Sequence, residues 1–317
     1  MARSNSAWRA FGRSVRGEAH VRQNLPNQDA IAIQNGLPGG GTAMAVADGH
    51  GNAIHFRSET GAMLAVAAAI DVLSDVGAVF DLSDLPDRIV ERWRKSVEEH
   101  LAEHPYAPGE SPVGPFVPYG TTLLAALARR DWVLYFQIGD GDVLAVDDAG
   151  CAARPLPPDP RLTGVRTTSL CQNDAAHHAR VRRVEESPAL IILSTDGYAN
   201  SYANDEAFLQ IGPDYLALVR ENADDVERRL EDILTQVTRQ GSGDDITLGL
   251  LVRDGGSVRV AEEPKRRSAR RLWVLTGVLL ILAGLIAKAV EWLEPIPPPK
   301  PHIYSPKAPP LKRPAKR

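Results

Sequence analysis

Apolar positions follow a helical rhythm over much of the first third of this chain and a strand rhythm after it, with the change near residue 120. Trp8 to Gly17 reads as a strand, followed by a turn-rich segment leading to Asn27-Gln28-Asp29. Ala30 to Ile33 and Thr42 to Ala47 read as paired strands across the Gly/Pro-rich turn 36–41. Residues 58–74, SETGAMLAVAAAIDVLS, form a helical run with Ser58 or Thr60 as its cap. Ile89, Val90, Trp93, Val97 and Leu101 fall at helical spacing and predict an amphipathic helix over 84–103, closed by a Pro/Gly loop at 105–118.

From Gly120 onward the runs are short and β-prone. They predict strands at Thr121 to Ala128, Val133 to Ile138, Val143 to Val146, Ala179 to Val184, Ala189 to Ser194 and Ile246 to Val252. Residues 150–175 are Pro-, Arg- and Thr-rich, too long for a plain connector, and read as a surface flap near a site or a mobile loop. Helices at about 205–219 and 223–238 precede the last strand. Strands in clusters with helices in blocks point to an α+β fold rather than alternating α/β.

A different pattern closes the chain. Residues 272–287, LWVLTGVLLILAGLIA, carry no charge, and the apolar stretch continues past Lys288 to Leu293. At 1.5 Å per residue this length spans a hydrocarbon core, with Trp273 and Trp292 at its ends. The sequence KRRSARR before it favours keeping the preceding domain cytoplasmic, although the tail beyond is also basic. The division expected is a catalytic domain over 1–258, a basic linker over 259–271, a transmembrane helix over 272–293 and an extended Pro-rich tail over 294–317. The localisation that follows is the inner (cytoplasmic) membrane, single-pass, with the domain facing the cytoplasm.

Charge sharpens that division. Residues 1–264 carry a balance of −14 and residues 265–317 a balance of +10. An acidic domain makes a poor nucleic-acid binder and a reasonable collector of divalent cations. An apolar fraction of 44% is that of an ordinary globular protein. The two cysteines, Cys151 and Cys171, have no metal-binding spacing and read as unpaired thiols. The first residues lack the apolar core of a secretion signal.

The chemistry lies in three aspartates far apart in the chain. Asp48 in AVADGHGN, Asp196 in LIILSTDGYANSY and Asp244 in GSGDDITLGLLV each sit beside an apolar, β-prone run and a glycine, with a fourth, Asp140, in QIGDGDVLAV. One Asp-Gly after a strand is ordinarily a hairpin turn. Several carboxylates projecting from strand ends into one cleft need a counter-ion, and oxygen ligands suit Mg²⁺ or Mn²⁺. No phosphate-binding Gly-rich loop, dinucleotide fingerprint, nucleophile elbow or zinc signature is present in the sequence.

Taken in order, Asn27-Gln28-Asp29-Ala30, Asp48-Gly49-His50-Gly51, Gly120-Thr121-Thr122, Gly139-Asp140-Gly141, Thr195-Asp196-Gly197 and Asp244-Asp245-Ile246-Thr247 resemble the metal-dependent protein phosphatase (protein phosphatase 2C) family, in its compact bacterial form. The resemblance covers roughly residues 8–253. It implies two packed antiparallel β-sheets flanked by helices on both outer faces, and two or three Mn²⁺ or Mg²⁺ ions. By the same resemblance Asp48 bridges two metals, with the Gly49 carbonyl as a further ligand. Asp196 and Asp244 complete the first metal, Asp29 orders metal-bound waters, and Asp140 serves a third ion. His50 matches the general acid for the leaving alkoxide, a role an imidazole suits near neutral pH.

Two positions depart from the family pattern. Gln28 stands where many members have a metal-binding glutamate. The phosphate-binding arginine falls on Asn24, and the nearest candidate for a bidentate grip is Arg22. Gly120-Thr121-Thr122 reads as the opening of a core strand, and Asp245 either orients an active-site water or caps the turn into the last strand. His177-His178 reads as surface strand. The expected function is hydrolysis of phosphoserine and phosphothreonine in proteins, opposing a bacterial Ser/Thr kinase. The rivals are a pseudophosphatase that binds a phosphoprotein or kinase without turnover, and a small-molecule phosphatase or regulatory anchor domain.

Overall fold

The computed structural model describes residues 7–77, 80–110, 112–157, 159 and 167–254. In chain order the elements are β1 (Trp8–Val15), α1 (Glu18–Gln23), β2 (Asp29–Asn35), β3 (Thr42–Asp48), α2 (Ser58–Ser74), α3 (Leu85–Glu103), β4 (Leu123–Ala128), β5 (Val133–Ile138) and β6 (Asp142–Val146). They continue with β7 (Ala152–Ala153), α4 (Ala175–His178), β8 (Arg180–Val184), β9 (Leu190–Ser194), α5 (Asp196–Ala199), α6 (Asp205–Leu209), α7 (Ile211–Gln240) and β10 (Ile246–Arg253). The strands form two antiparallel five-stranded sheets, ordered β1-β10-β9-β6-β7 and β2-β3-β4-β5-β8.

Strand β3 shows why the sheets stack. Its alternate residues Met44 and Val46 face the other sheet and share the core between the two with Trp8, Ile191, Leu193 and Leu251 of that sheet and Leu124 and Tyr135 of their own. The residues between them, Ala43, Ala45 and Ala47, face outward under Ala62, Ala65 and Ala69 of α2 and Trp93 of α3. On the far side, Phe11, Leu144, Ile192, Leu248 and Leu250 pack beneath Leu230, Leu234 and Val237 of α7. Central strands buried on both faces are apolar throughout, which is why their runs are so legible in the sequence. The α+β expectation of two packed sheets with helices on both outer faces is met.

Several local expectations change. Helix α2 starts where predicted, but Arg57 precedes it without a side-chain cap, and Ser58 instead accepts a 2.8 Å hydrogen bond from Gln28 Nε2. The turn-rich stretch after β1 contains the six-residue helix α1. His177 and His178 belong to the short helix α4 rather than to a strand. The first helix expected before β10 divides into α6 and the start of α7, and the second continues in α7 beyond a break at Asn222, whose Oδ1 accepts from Asp225 N at 3.1 Å. The predicted transmembrane helix at 272–293, with its linker at 259–271 and tail at 294–317, lies outside the described residues. Among the described residues no helix is long and apolar enough to cross a membrane.

Candidate active site

At one end of the sandwich four chain segments meet. Asp48 is the last residue of β3, Asp140 sits in the turn from β5 to β6, Asp196 opens α5 directly after β9, and Asp244 lies just before β10. Together with His50, Gly51, Asn52, His55 and Thr122 they line a cavity of about 330 Å³. The sequence prediction that these carboxylates share a cleft therefore matches their placement.

Each carboxylate is held by backbone. Asp48 N donates to Thr122 Oγ1 at 3.0 Å, and the Asp48 carbonyl accepts from Thr121 Oγ1 at 2.8 Å and Thr122 N at 2.9 Å. The Gly-Thr-Thr segment is thus a clamp on Asp48 that leads into β4, which itself begins at Leu123. Gly49 N donates to Gln28 O at 3.1 Å, and His50 N to Gly120 O at 3.0 Å. On the other sheet, Ser242 Oγ donates to Gly197 O at 2.8 Å and accepts from Asp244 N at 3.2 Å, which fastens the Asp244 loop to the helix carrying Asp196. Asn200 Nδ2 steadies Asp196 Oδ2 at 3.0 Å. Gln137 Nε2 braces the Asp140 turn through the carbonyls of Gly139 at 3.2 Å and Gly141 at 2.6 Å.

Asp29 and Asp48 are cross-strand partners on β2 and β3. Asp29 is buried and is not among the cavity-lining residues; its Oδ2 accepts from Thr195 Oγ1 and Thr247 Oγ1, both at 2.8 Å, so it links the two sheets behind the site. Arg22 stands elsewhere. Its side chain is 71% exposed on α1, 3.6 Å from Glu18, and does not line the cavity. Among the described residues no arginine or lysine lines it. Asn52 and His55 do line it and were not singled out in the sequence. They lie within seven residues of Asp48, in the same loop as His50. Asp142, also without an assigned role, is buried and pairs with Arg154 at 2.6 Å, which in turn reaches Asp205 at 2.6 Å.

The electrostatics are those of crowded anions. Burial, then Asp29 and Asp196, push the Asp48 carboxyl well above its ordinary range. Burial and the carboxylates of Asp245 and Asp244 do the same to Asp29, against the pull of its threonine hydrogen bonds. Asp196 is raised by burial and by Asp140 and Asp244, and Asp244 by burial and Asp245. Burial beside His55, whose ring lies 4.9 Å away edge-on, brings His50 down to about 4. His55 is itself fixed by a 2.5 Å contact from Nδ1 to the Val117 carbonyl.

This donor set suits hard divalent cations. The ligating atoms are carboxylate oxygens, and Gln28 adds a buried Oε1 that has no hydrogen-bond partner. Among the described residues no three His, Cys, Asp or Glu side chains already converge closely enough to hold an ion by themselves. The carboxylates surround a cavity, with room for ions that keep water in part of their coordination shell.

The comparisons agree with this geometry. The sequence profile described as Protein phosphatase 2C matches residues 16–235, well over half of the chain. Among solved structures the chain is similar to the Mycobacterium tuberculosis serine/threonine phosphatase PstP/Ppp, at 20% identity over 77% of this chain and 98% of that one, with a TM-score of 0.53. It is similar to the catalytic domain of PstP in complex with two manganese ions, at 22% identity over 77% and 97% of the two chains, TM-score 0.52. The S. agalactiae serine/threonine phosphatase matches at 16% identity over 77% and 99%, TM-score 0.52. No curated protein matches the chain. At these identities the solved structures speak for the fold, and the profile speaks for the family. The chain belongs to the protein phosphatase 2C family, and with it to the metal-dependent protein serine/threonine phosphatases.

Proposed function

We propose that this chain hydrolyses phosphoserine and phosphothreonine in proteins at the cavity bounded by Asp48, Asp140, Asp196 and Asp244. The observation that carries the reading is the convergence of these four carboxylates, from four segments and both sheets, on one open cavity. Mn²⁺ or Mg²⁺, two or three ions, would be held by Asp48, Asp196, Asp244, Asp140 and the Gly49 carbonyl, with Gln28 Oε1 supplying a neutral oxygen. When bound, such cations lower the pKa of an attacking water and neutralise phosphoryl charge. Asp29, set behind Asp48 by two threonine hydroxyls, would act on ordered water rather than on substrate. His50 borders the cavity next to Asp48 and would carry the proton to the leaving seryl or threonyl oxygen. A dianionic phosphoryl group beside it would raise its pKa from the low value that burial imposes. With Arg22 facing solvent, the phosphoryl group would meet His50, His55 and Asn52.

Membrane attachment through 272–293, a cytoplasmic orientation and opposition to a Ser/Thr kinase are supported by the sequence pattern and by the kind of substrate alone. Among the described residues the cavity lining holds no arginine or lysine, which favours one second reading, a pseudophosphatase that holds a phosphoprotein or kinase without turnover. Hydrolysis of a phosphothreonine peptide by the full chain in detergent, with Mn²⁺, Mg²⁺ or EDTA, separates the two. Metal-dependent turnover, lost by at least about 10³-fold in Asp196→Ala, is expected for the enzyme. A folded protein that binds the phosphopeptide but releases no phosphate with either cation would establish the pseudophosphatase.

A further inference from the structure

Asp245 sits beside the cavity-lining carboxylates without lining the cavity itself, and its surroundings differ from those of a turn cap. Its side chain is 3% exposed. Oδ1 accepts from Gly17 N at 2.6 Å, and Oδ2 accepts from Gln28 N at 2.6 Å and contacts His20 Nδ1 at 2.9 Å. All three partners come from the segment between β1 and β2, at the opposite end of the chain. The Asp245 backbone N–H donates in turn to Asp244 Oδ1 at 2.9 Å. One residue therefore connects Asp244 on the β10 side to Gln28 on the β2 side. Gln28 passes the connection on, since its carbonyl accepts from Gly49 N at 3.1 Å.

Helix α1 is built around this contact. Ala19 N donates to Gly243 O at 2.8 Å, and Thr238 Oγ1 links Glu18 N, at 3.2 Å, to the Asp244 carbonyl, at 2.8 Å. Gly17 permits the approach, because a Cβ there would lie 2.3 Å from Asp244 C and 2.5 Å from Asp245 N. The helix turns His20 inward, with Nε2 4.0 Å from Asp244 Oδ1, and turns Arg22 outward. A carboxylate surrounded by three donors accepts from all of them, so the His20 contact is donated from Nδ1 and the ring is fixed in orientation.

We infer that Asp245 and His20 form a positioning pair that sets where Asp244 stands relative to Gln28 and Gly49, and thereby sets the affinity of the site for divalent cations. The inference rests on the cation-dependent reading of the cavity. Neither residue lines the cavity. Partners of this kind, one bond behind the ligands, typically govern metal affinity by 10- to 100-fold.

The test is calorimetric titration of the full chain with Mn²⁺ at 15 °C, alongside thermal melting, for wild type, His20→Ala, Asp245→Ala, the double variant and His20→Asn. Each alanine variant is expected to weaken Mn²⁺ binding by about 10- to 100-fold. The double variant should be no weaker than the weaker single variant, because the two residues act as a unit. His20→Asn, whose amide can donate to Asp245, should recover most of the loss. If the alanine variants melt earlier yet bind Mn²⁺ as wild type does, or if their effects multiply, the positioning pair is overturned and the phosphatase reading stands. If wild type binds no Mn²⁺, both fall together. Should Asp245→Ala fail to fold, His20→Ala against His20→Asn decides the matter by the same criterion.

Discussion

Burial and the neighbouring Asp29 and Asp196 hold the Asp48 carboxyl well above its ordinary 3.8 in the protein without cations. A carboxyl raised in this way binds its proton more tightly folded than unfolded. Its contribution to stability is therefore present at acid pH and is lost as pH rises from 3.8 through the raised value. Above 3.8 the metal-free fold therefore bears a cost at this position, as a proton it must hold or a charge it must bury. Asp48→Asn should raise the melting temperature in EDTA at pH 7.5, leave it nearly unchanged at pH 4, and abolish turnover. Equal melting of the two proteins at pH 7.5 would sink the electrostatic account. The carboxylates were legible because each stands at a glycine turn beside an apolar run. Arg22 was singled out by distance along the chain, which says nothing of direction. At about 100° per residue within α1, two positions separate an inward His20 from an outward Arg22.

The long elements announce themselves and the short ones do not. Strands β3, β4 and β9 are buried on both faces, and α3 repeats its apolar residues every turn, so each carries its own signal. Helices α1, α4 and α5 span four to six residues, too few for a 3.6-residue period to show, and tertiary contacts hold them. Helix α2 adds a demand that periodicity cannot express. Its Gly61 lies against Tyr119, where a Cβ would come within 2.0 Å of the Tyr119 carbonyl oxygen. Gly61 O also accepts from Trp93 Nε1 at 3.1 Å, so the helix cannot simply slide away. Gly61→Ala should destabilise the domain by about 1–3 kcal/mol in urea titration, as overpacking does. It should also lower kcat, because Tyr119 leads into Gly120, the backbone anchor of His50. Wild-type stability in this variant would show that the contact relaxes without cost.

Across the whole molecule, the proposed cation ligands come from both sheets: Asp48 from the end of β3 in one, Asp196 and Asp244 from beside β9 and β10, inner strands of the other. Ions shared among them would tie the layers together at one end of the sandwich, where the carboxylates otherwise repel. Saturating Mn²⁺ should accordingly raise the melting temperature, with a gain of about 2.7 kcal/mol when free Mn²⁺ is a hundredfold above its Kd. Scanning calorimetry with and without EDTA reads this directly, and Asp48→Asn should show little of the shift.

The pairing of β1 with β10 joins the first strand of the domain to the last, in register from Trp8 opposite Arg253 to Val15 opposite Ile246. During synthesis β1 leaves the ribosome with no neighbour to pair with and waits for more than two hundred residues until its partner arrives. Asp244 and Asp245 emerge in that same final stretch. A chain that stops short of Asp244 lacks both a proposed cation ligand and the strand that closes this sheet, and is expected to release no phosphate from a phosphopeptide.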